Sequence, residues 1–221
     1  MNMKLVKRFI AVTMAATLMV APAITASAAT EDSQGSAQQA ATEAAVTTAE
    51  VKTEAVASVS GAVIKSDVAG AYAVGTSKVD TAISAVVPRE SAAQIKSEAG
   101  LAANEAPYVQ AYDITEKKAP KAYDSAKSVA AAVNGRLDGA INLKLAKKSG
   151  KTVTNLSADV AVPMTFALKK AVPAGMRAVV LKISAGGAFT VLEDLGTTPG
   201  AITVPVTGGD AAYFIMYVPA A

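Results

Sequence analysis

Three residue types with distinctive chemistry are absent from this 221-residue chain, which contains no cysteine, no histidine and no tryptophan. Without histidine and cysteine, the chain cannot assemble Ser-His-Asp or Cys-His nucleophilic machinery, nor a zinc site with nitrogen or sulfur ligands. Aromatic residues make up only 5% of the chain, so a folded core must consist mainly of Val, Ile and Leu. We therefore expect a protein that is not an enzyme and that uses no cofactor or metal.

The beginning of the chain has the three parts of an export signal. Its first residues, MNMKLVKR, are basic and contain no acid; an apolar run follows over 9–20, and Ala26-Ser27-Ala28 supplies the small residues of a cleavage site. The apolar run is short for a membrane span. The alternative, a buried core helix, would not require the small residues of a cleavage site after it. We predict a signal peptide over 1–28, an extracellular location and no integral membrane segment once the signal is removed.

Removal of the signal also changes the charge of the protein. The full chain has 21 Lys and Arg against 18 Asp and Glu, and three of the basic residues lie in the signal, which leaves 18 of each sign. No basic field remains to attract nucleic acid, so we expect no nucleic-acid partner. The lack of disulfides suits a Gram-positive bacterium, and we expect the protein to be secreted or held at the cell surface without a covalent bond.

The remaining sequence divides into a spacer and a folded part. Residues 29–52 are rich in Ala, Thr, Glu, Gln and Ser and have almost no large apolar side chain. Such a segment cannot bury enough surface to offset its ordering entropy, so we predict a disordered low-complexity spacer. Residues 53–221 are predicted to form a single α+β domain with a β-rich core over 105–218.

Local patterns predict two helices and a series of short strands within this domain. The helices are expected over residues 89–99, before Gly100, and over 120–133, before Asn134-Gly135. The strands are expected where short apolar or alternating runs are bounded by turn residues, over 56–64, 70–75, 107–114, 140–145, 160–168, 178–183, 189–192, 202–206 and 212–218. The predicted fold is α+β, an antiparallel β-sandwich-like module with two helices in its N-terminal half.

Two of the strands carry three alternating aliphatic residues each. Because alternate residues of a strand share one face, we predict that both sets point into the same core, and that Lys182 lies on an opposite, solvated face. The two sets are Ile141, Leu143 and Leu145, and Val179, Leu181 and Ile183.

The last part of the chain resembles the final hairpins of a β module found in secreted proteins of gut clostridia. The resemblance is carried by FTVLEDLGTTPGAITVPV over 189–206 and AYFIMY over 212–217, and upstream by Tyr112-Asp113-Ile114 and Gly150-Lys151-Thr152-Val153. It covers about residues 105–218, although GGDAAY over 208–213 replaces the phenylalanine-containing turn of that module. The resemblance implies an uncharacterised secreted or cell-surface family, and so a fold and a location, but no activity.

Four tyrosines are the candidate binding residues. Tyr108 and Tyr112 lie four apart on one predicted strand, and Tyr213 and Tyr217 lie four apart on another, so each pair shares a face. An exposed row of rings can stack on sugars, whereas rings of this size more commonly cover the core. The sequence thus favours a non-catalytic secreted or surface-associated structural or interaction module. The alternative is a module that binds carbohydrate or cell-wall polymer, with cell-wall or host polysaccharide or protein as partner.

Charged pairs leave two further hypotheses open. An enzyme that uses only carboxylates, hydroxyls and lysines would need paired acids, for which Glu193-Asp194 and Asp113 with Glu116 are the candidates. On strands and turns such acids are usually solvated. The lysine pairs could guide binding to anionic wall polymers, or serve as solvated turn residues that protect strand edges; they are Lys117-Lys118, Lys147-Lys148 and Lys169-Lys170.

Overall fold

The computed structural model describes residues 56–57, 59–70 and 82–220. The predicted signal, the predicted spacer and most of the strand expected over 70–75 lie outside these residues. The described part contains two helices, α1 (Ala92–Glu98) and α2 (Pro120–Ala132), and twelve strands. The strands are β1 (Val56–Ala57), β2 (Val63–Ile64), β3 (Ala69–Gly70), β4 (Ile83–Pro88), β5 (Ala106–Asp113), β6 (Arg136–Ser149), β7 (Thr152–Asn155), β8 (Ala161–Leu168), β9 (Met176–Ser184), β10 (Phe189–Leu192), β11 (Ala201–Thr207) and β12 (Gly209–Pro219).

The strands form two main sheets and one small hairpin. The larger sheet has the order β10-β9-β12-β6-β5-β3, with β7 paired to the free part of β6. Its neighbouring strands are antiparallel except for β3 and β5, which run parallel. The smaller sheet has the order β11-β8-β4 and is antiparallel throughout, and β1 pairs with β2 separately.

The main core lies between the two sheets. Buried side chains of the larger sheet, such as Ile141 and Tyr213, belong to the same apolar cluster as Phe166 and Val204 of the smaller sheet. The ring centroids of Phe166 and Tyr213 are 5.9 Å apart. We call the face of the larger sheet that meets the smaller sheet its inner face, and the opposite face its outer face.

Helix α2 covers part of the outer face. It begins at Pro120, which is tolerated in a first helical turn, and its buried residues Ala126 and Ala130 have side chains small enough for close packing on the sheet. The ring of Tyr123 meets that of Phe214 edge to face at 4.9 Å, and its hydroxyl donates a hydrogen bond of 2.9 Å to the carbonyl oxygen of Ile114. The helix thereby seals a second apolar cluster.

Beyond residue 82, most elements predicted from local patterns agree with the structure, which also contains two strands that were not predicted, β4 and β7. Both helices lie where the sequence places them, and α1 starts after Ser91, whose hydroxyl accepts a hydrogen bond from the backbone N–H of Gln94. The strand predicted over 56–64 was wrong as a single element. It divides into β1 and β2 around a turn that contains Gly61, whose positive φ of 79° favours glycine.

The prediction that the two aliphatic triplets share one core was wrong. In β12, Tyr213 pairs with Ile141 of β6 on one side and with Lys182 of β9 on the other. Lys182 is therefore on the inner face with Ile141, whereas Leu181 packs on the outer face beneath α2. The register of the strands points the two triplets in opposite directions, and both are buried because the smaller sheet covers one face of the larger sheet and α2 covers the other.

Candidate functional site

The two pairs of tyrosines lie on opposite faces of the larger sheet. Tyr213 pairs with Ile141 and Tyr112 with Asn142, and consecutive residues of a strand point to opposite faces. Tyr213 and Tyr217 are on the inner face, where each is only 1% exposed. They cover the core, and the expectation that they could present rings for stacking is corrected.

Tyr108 and Tyr112 belong to a polar surface on the outer face, beyond the area that α2 covers. Tyr112 is half-buried against the edge of the helix-covered cluster, and Tyr108 is half-buried further along β5. Their neighbours across the sheet come from β6 and β12, through the pairs Tyr108 with Ala146, Gln110 with Lys144 and Asp210 with Lys144. We call this surface the outer patch; its residues are Tyr108, Gln110, Tyr112, Asn142, Lys144, Ala146, Lys148 and Asp210.

A hydrogen-bonded group of three side chains forms one end of the outer patch. The amide nitrogen of Asn142 donates to the hydroxyl oxygen of Tyr112 at 2.7 Å and to Oδ1 of Asp210 at 2.5 Å. These two bonds use both hydrogens of the amide group. The Tyr112 hydroxyl keeps its own hydrogen, so the group combines a hydroxyl donor with carboxylate and amide acceptors.

The protonation of this group follows from its partial burial. Burial raises the pKa of Asp210, and the hydrogen bond from Asn142 and the charge of Lys144 oppose that rise. Burial, together with the nearby charge of Asp210, raises the pKa of Tyr112 to about 12. Tyr112 is therefore a protonated hydrogen-bond donor at neutral pH.

Two lysines border the tyrosines along β6. The ammonium nitrogen of Lys148 lies 5.4 Å from the centroid of the Tyr108 ring, which is a cation–π distance. Lys144 lies between Gln110 and Asp210 in the pairing of the strands. Ala146 lies between the two lysines on the same face and is fully buried, so it forms the floor of the patch.

The carboxylates considered for catalysis have structural partners instead. Glu193 forms an ion pair with Arg177 across β9 and the end of β10. Asp194 Oδ1 accepts hydrogen bonds of 2.8 Å from the backbone N–H groups of Gly196 and Thr203, which fixes the loop that leads to the smaller sheet. Both acids line an open cleft of about 450 Å³ at the edge of the two sheets.

Glu116 and Lys147, which also belong to charged pairs of the sequence, each form an ion pair in the structure. Glu116 forms an exposed ion pair of 2.6 Å with Lys127 of α2. Lys147 pairs with Glu105 at 2.7 Å, while its neighbour Lys148 is directed to the outer face by the alternation of the strand. The sequence pair Lys147-Lys148 is thus divided between a salt bridge and the outer patch.

Sequence reasoning found Tyr108 and Tyr112 but missed the residues that surround them. The alternation in β6 offered a signal, because Asn142 and Lys144 occupy positions between its apolar residues and Lys148 continues the same alternation. No sequence pattern indicated a binding role for Asp210, because it follows two glycines in a segment with the composition of a turn. Its place in the patch depends on the pairing of β12 with β6.

The described residues contain neither a cluster of metal-ligating side chains nor a membrane-spanning helix. Over 56–57, 59–70 and 82–220, no three side chains of the types Asp, Glu, His and Cys are grouped so that they could hold a metal ion. Neither helix in that part of the chain is long and apolar enough to cross a membrane. Comparison of the chain with family models, with curated proteins and with solved structures gave no match.

Proposed function

We propose that the protein is a non-catalytic, secreted or surface-associated interaction module of a Gram-positive bacterium, folded as one sandwich-like α+β domain over residues 53–221. The signal sequence over 1–28 and the low-complexity spacer over 29–52 support the extracellular location. The resemblance of residues 105–218 to the β module of secreted clostridial proteins supports the same assignment. In this proposal the outer patch is the surface that holds the ligand.

Carbohydrate is the ligand class that the outer patch fits best. The observation that carries this choice is the presence of two half-buried tyrosine rings, Tyr108 and Tyr112, on one sheet face beside the hydrogen-bonded pair Asn142 and Asp210. The apolar face of a sugar can pack on an aromatic ring, while its hydroxyls need both donors and acceptors. Polysaccharide of the cell wall or of a host offers both features repeatedly along one chain.

A binding role without catalysis is consistent with how the acids are used. Glycoside hydrolysis ordinarily needs two carboxyl groups placed on either side of the bond to be cleaved. The outer patch, as defined above, contributes one carboxylate, Asp210. Glu193 forms an ion pair with Arg177, and Asp194 accepts hydrogen bonds from the backbone N–H groups of Gly196 and of Thr203 in β11.

Binding of the full chain, expressed for secretion, to a panel of soluble and insoluble polysaccharides tests the proposal. Tyr108→Ala should weaken binding to the recognised polysaccharide by roughly tenfold or more, because it removes the stacking surface. Tyr108→Phe should keep most of the affinity, because the ring remains. Isothermal titration or pull-down with each polymer measures both effects.

The chain supplies a matched control for this experiment. Phe189 is 58% exposed and lies on the outer face of the edge strand β10, two strands beyond β12, the last strand that contributes to the outer patch. Phe189→Ala removes an exposed aromatic ring of similar size and should leave polysaccharide binding unchanged. Equal affinity of wild type and Tyr108→Ala for every polymer, or an equal loss in Phe189→Ala, would contradict carbohydrate binding at this patch.

A further inference from the structure

We propose that the outer patch recognises a neutral, hydroxyl-rich glycan, one of whose hydroxyl groups is held between the hydroxyl of Tyr112 and the carboxylate of Asp210. This inference rests on the proposed carbohydrate-binding function and adds the chemical class of the polymer. It is drawn from the hydrogen bonds of Asn142 and from the partners that already engage the charged groups of the patch.

Both lysines of the outer patch are engaged within the protein. The ammonium nitrogen of Lys148 lies 5.4 Å from the centroid of the Tyr108 ring, and Lys148 has a further interaction besides this one. Lys144 is paired with Asp210 across β6 and β12, and its charge opposes the rise in the pKa of that carboxyl group. Among the described residues, the patch therefore holds no charge left over to attract an acidic polymer.

The hydrogen-bonded side chains at one end of the patch place a donor beside an acceptor. The amide nitrogen of Asn142 contacts the hydroxyl oxygen of Tyr112 at 2.7 Å and Oδ1 of Asp210 at 2.5 Å. These two oxygens are thus no farther apart than the sum of the two distances. The hydrogen of the Tyr112 hydroxyl and Oδ2 of Asp210 form no hydrogen bond with other described residues, so both can serve a ligand.

A hydroxyl group matches this pair better than a charged group does. It can accept a hydrogen bond from Tyr112 and donate one to Asp210 at the same time. A carboxylate of an acidic polymer can only accept, and it would lie next to the carboxylate of Asp210, where like charges repel. An ammonium group can only donate, and it would leave the Tyr112 hydroxyl without an acceptor. The pair therefore selects a neutral sugar.

The row of side chains along β5 is also uncharged. Tyr108, Gln110 and Tyr112 occupy alternate positions of this strand and share its outer face. They extend over about 13 Å between the first and the last Cα atom. The amide of Gln110 both donates and accepts hydrogen bonds. A polymer that lies along β5 would therefore meet aromatic rings and neutral hydrogen-bonding groups in turn, which suits the apolar faces and hydroxyls of an uncharged glycan.

The test compares neutral and acidic polymers of related sugars. Galactan and hydroxyethyl cellulose are the neutral polymers, and polygalacturonic acid and carboxymethyl cellulose are their acidic counterparts. The full chain should bind at least one neutral polymer roughly tenfold or more tightly than the acidic counterpart, because Asp210 disfavours a second carboxylate. Isothermal titration with each polymer measures the ratio of the affinities.

Two conservative variants address the pair itself. Tyr112→Phe removes the hydroxyl and keeps the ring, and Asp210→Asn removes the charge and keeps a side chain of the same size. Each should weaken binding of the neutral polymer by about fivefold or more, which corresponds to the loss of one hydrogen bond. Asp210→Asn should also narrow the difference between the neutral and the acidic polymer, because it leaves Lys144 without its opposing charge.

Glu98→Gln is the matched control for these variants. Glu98 is exposed on α1, whose buried residue Ile95 belongs to the core on the inner side of the larger sheet. The variant removes a carboxylate away from the outer face and should bind every polymer as wild type does. Thermal unfolding of each variant verifies that the fold is intact.

The outcomes separate this inference from the proposed function. Preference for a neutral polymer that both Tyr112→Phe and Asp210→Asn weaken, with Glu98→Gln unchanged, supports it. If an acidic polymer binds as tightly as its neutral counterpart, or if neutral binding depends on Tyr108 but not on Tyr112 and Asp210, the inference is overturned while carbohydrate binding stands. If no polymer binds, or if Tyr108→Ala is without effect on all of them, both fail.

Discussion

Leu181 and Lys182 are consecutive residues of β9, and the structure gives them different environments on the two faces of the sheet. Leu181 is fully buried beneath α2 with Phe214. Lys182 is half-buried on the inner face, where its ammonium nitrogen donates a hydrogen bond of 2.6 Å to the hydroxyl of Thr207, and burial lowers its pKa. Neither residue faces open solvent, contrary to the expectation for Lys182.

These environments predict unequal effects of truncation. Leu181→Ala should lower the free energy of unfolding by about 2–5 kcal/mol, because it leaves a cavity between helix and sheet. Lys182→Ala should cost about 1 kcal/mol, because the lost hydrogen bond is offset in part by relief of the buried charge. Urea denaturation of both variants measures the difference. A larger loss in Lys182→Ala than in Leu181→Ala would show that the assignment of the faces is incorrect.

At the scale of secondary-structure elements, the chain passes from the smaller to the larger sheet between β11 and β12. Gly208 lies at this passage, and its backbone N–H donates a hydrogen bond of 2.8 Å to the carbonyl oxygen of Val160. A Cβ atom at Gly208 would lie 2.1 Å from the carbonyl oxygen of Ser157 and 2.7 Å from that of Leu156. The close approach of two backbone segments therefore requires glycine at this position.

Gly208→Ala should consequently be among the more damaging single changes. We expect a loss of at least about 2 kcal/mol in the free energy of unfolding, because the added methyl group meets backbone that cannot rotate away. Gly150, in the turn between β6 and β7, serves as the comparison: its φ is 57°, but nothing lies within 4 Å of an added Cβ. Gly150→Ala should cost only about 1 kcal/mol of backbone strain. If thermal unfolding shows that Gly150→Ala destabilises the protein more than Gly208→Ala does, the close approach of the two backbone segments at Gly208 is contradicted.

At the scale of the whole molecule, the main core draws on residues from both ends of the described chain. Ile83 and Val86 of β4 and Ile95 of α1 are fully buried in the same cluster as Tyr213 and Tyr217. Strand β4 also pairs with β8 and completes one edge of the smaller sheet. The β-rich part over 105–218, although it holds most of the strands, is therefore not the entire core.

A truncation experiment tests this dependence. A chain over residues 105–221 lacks Ile83, Val86 and Ile95 among other fully buried side chains. Each of these three contributes roughly 1.5–3 kcal/mol, and their sum is comparable to the whole stability of a typical domain. We expect the 105–221 chain not to unfold cooperatively, whereas a chain over 53–221 should unfold at nearly the midpoint of the predicted mature protein. Circular dichroism during chemical denaturation distinguishes the two. A cooperative transition of the 105–221 chain at that same midpoint would contradict the prediction.

The sequence by itself determined most of the local structure. The apolar runs at 189–192 and 202–206 predicted strands close to the observed bounds, and Pro120 with Asn134-Gly135 predicted the limits of α2. The alternation in 140–145 predicted only the middle of β6, which extends from Arg136 to Ser149. These patterns succeed because the direction of successive side chains and the conformational limits of proline and glycine are properties of the backbone over a few residues.

Only the tertiary structure decided which faces are covered and which side chains meet. Alternation shows that Ile141 and Leu143 share a face, but it does not show that a second sheet covers that face while α2 covers the other. For the same reason the sequence could not separate the two pairs of tyrosines into a buried and a half-exposed pair. Tyr112, Asn142 and Asp210 come together because β5, β6 and β12 are neighbours in the sheet, and strand order depends on contacts between residues far apart in the chain.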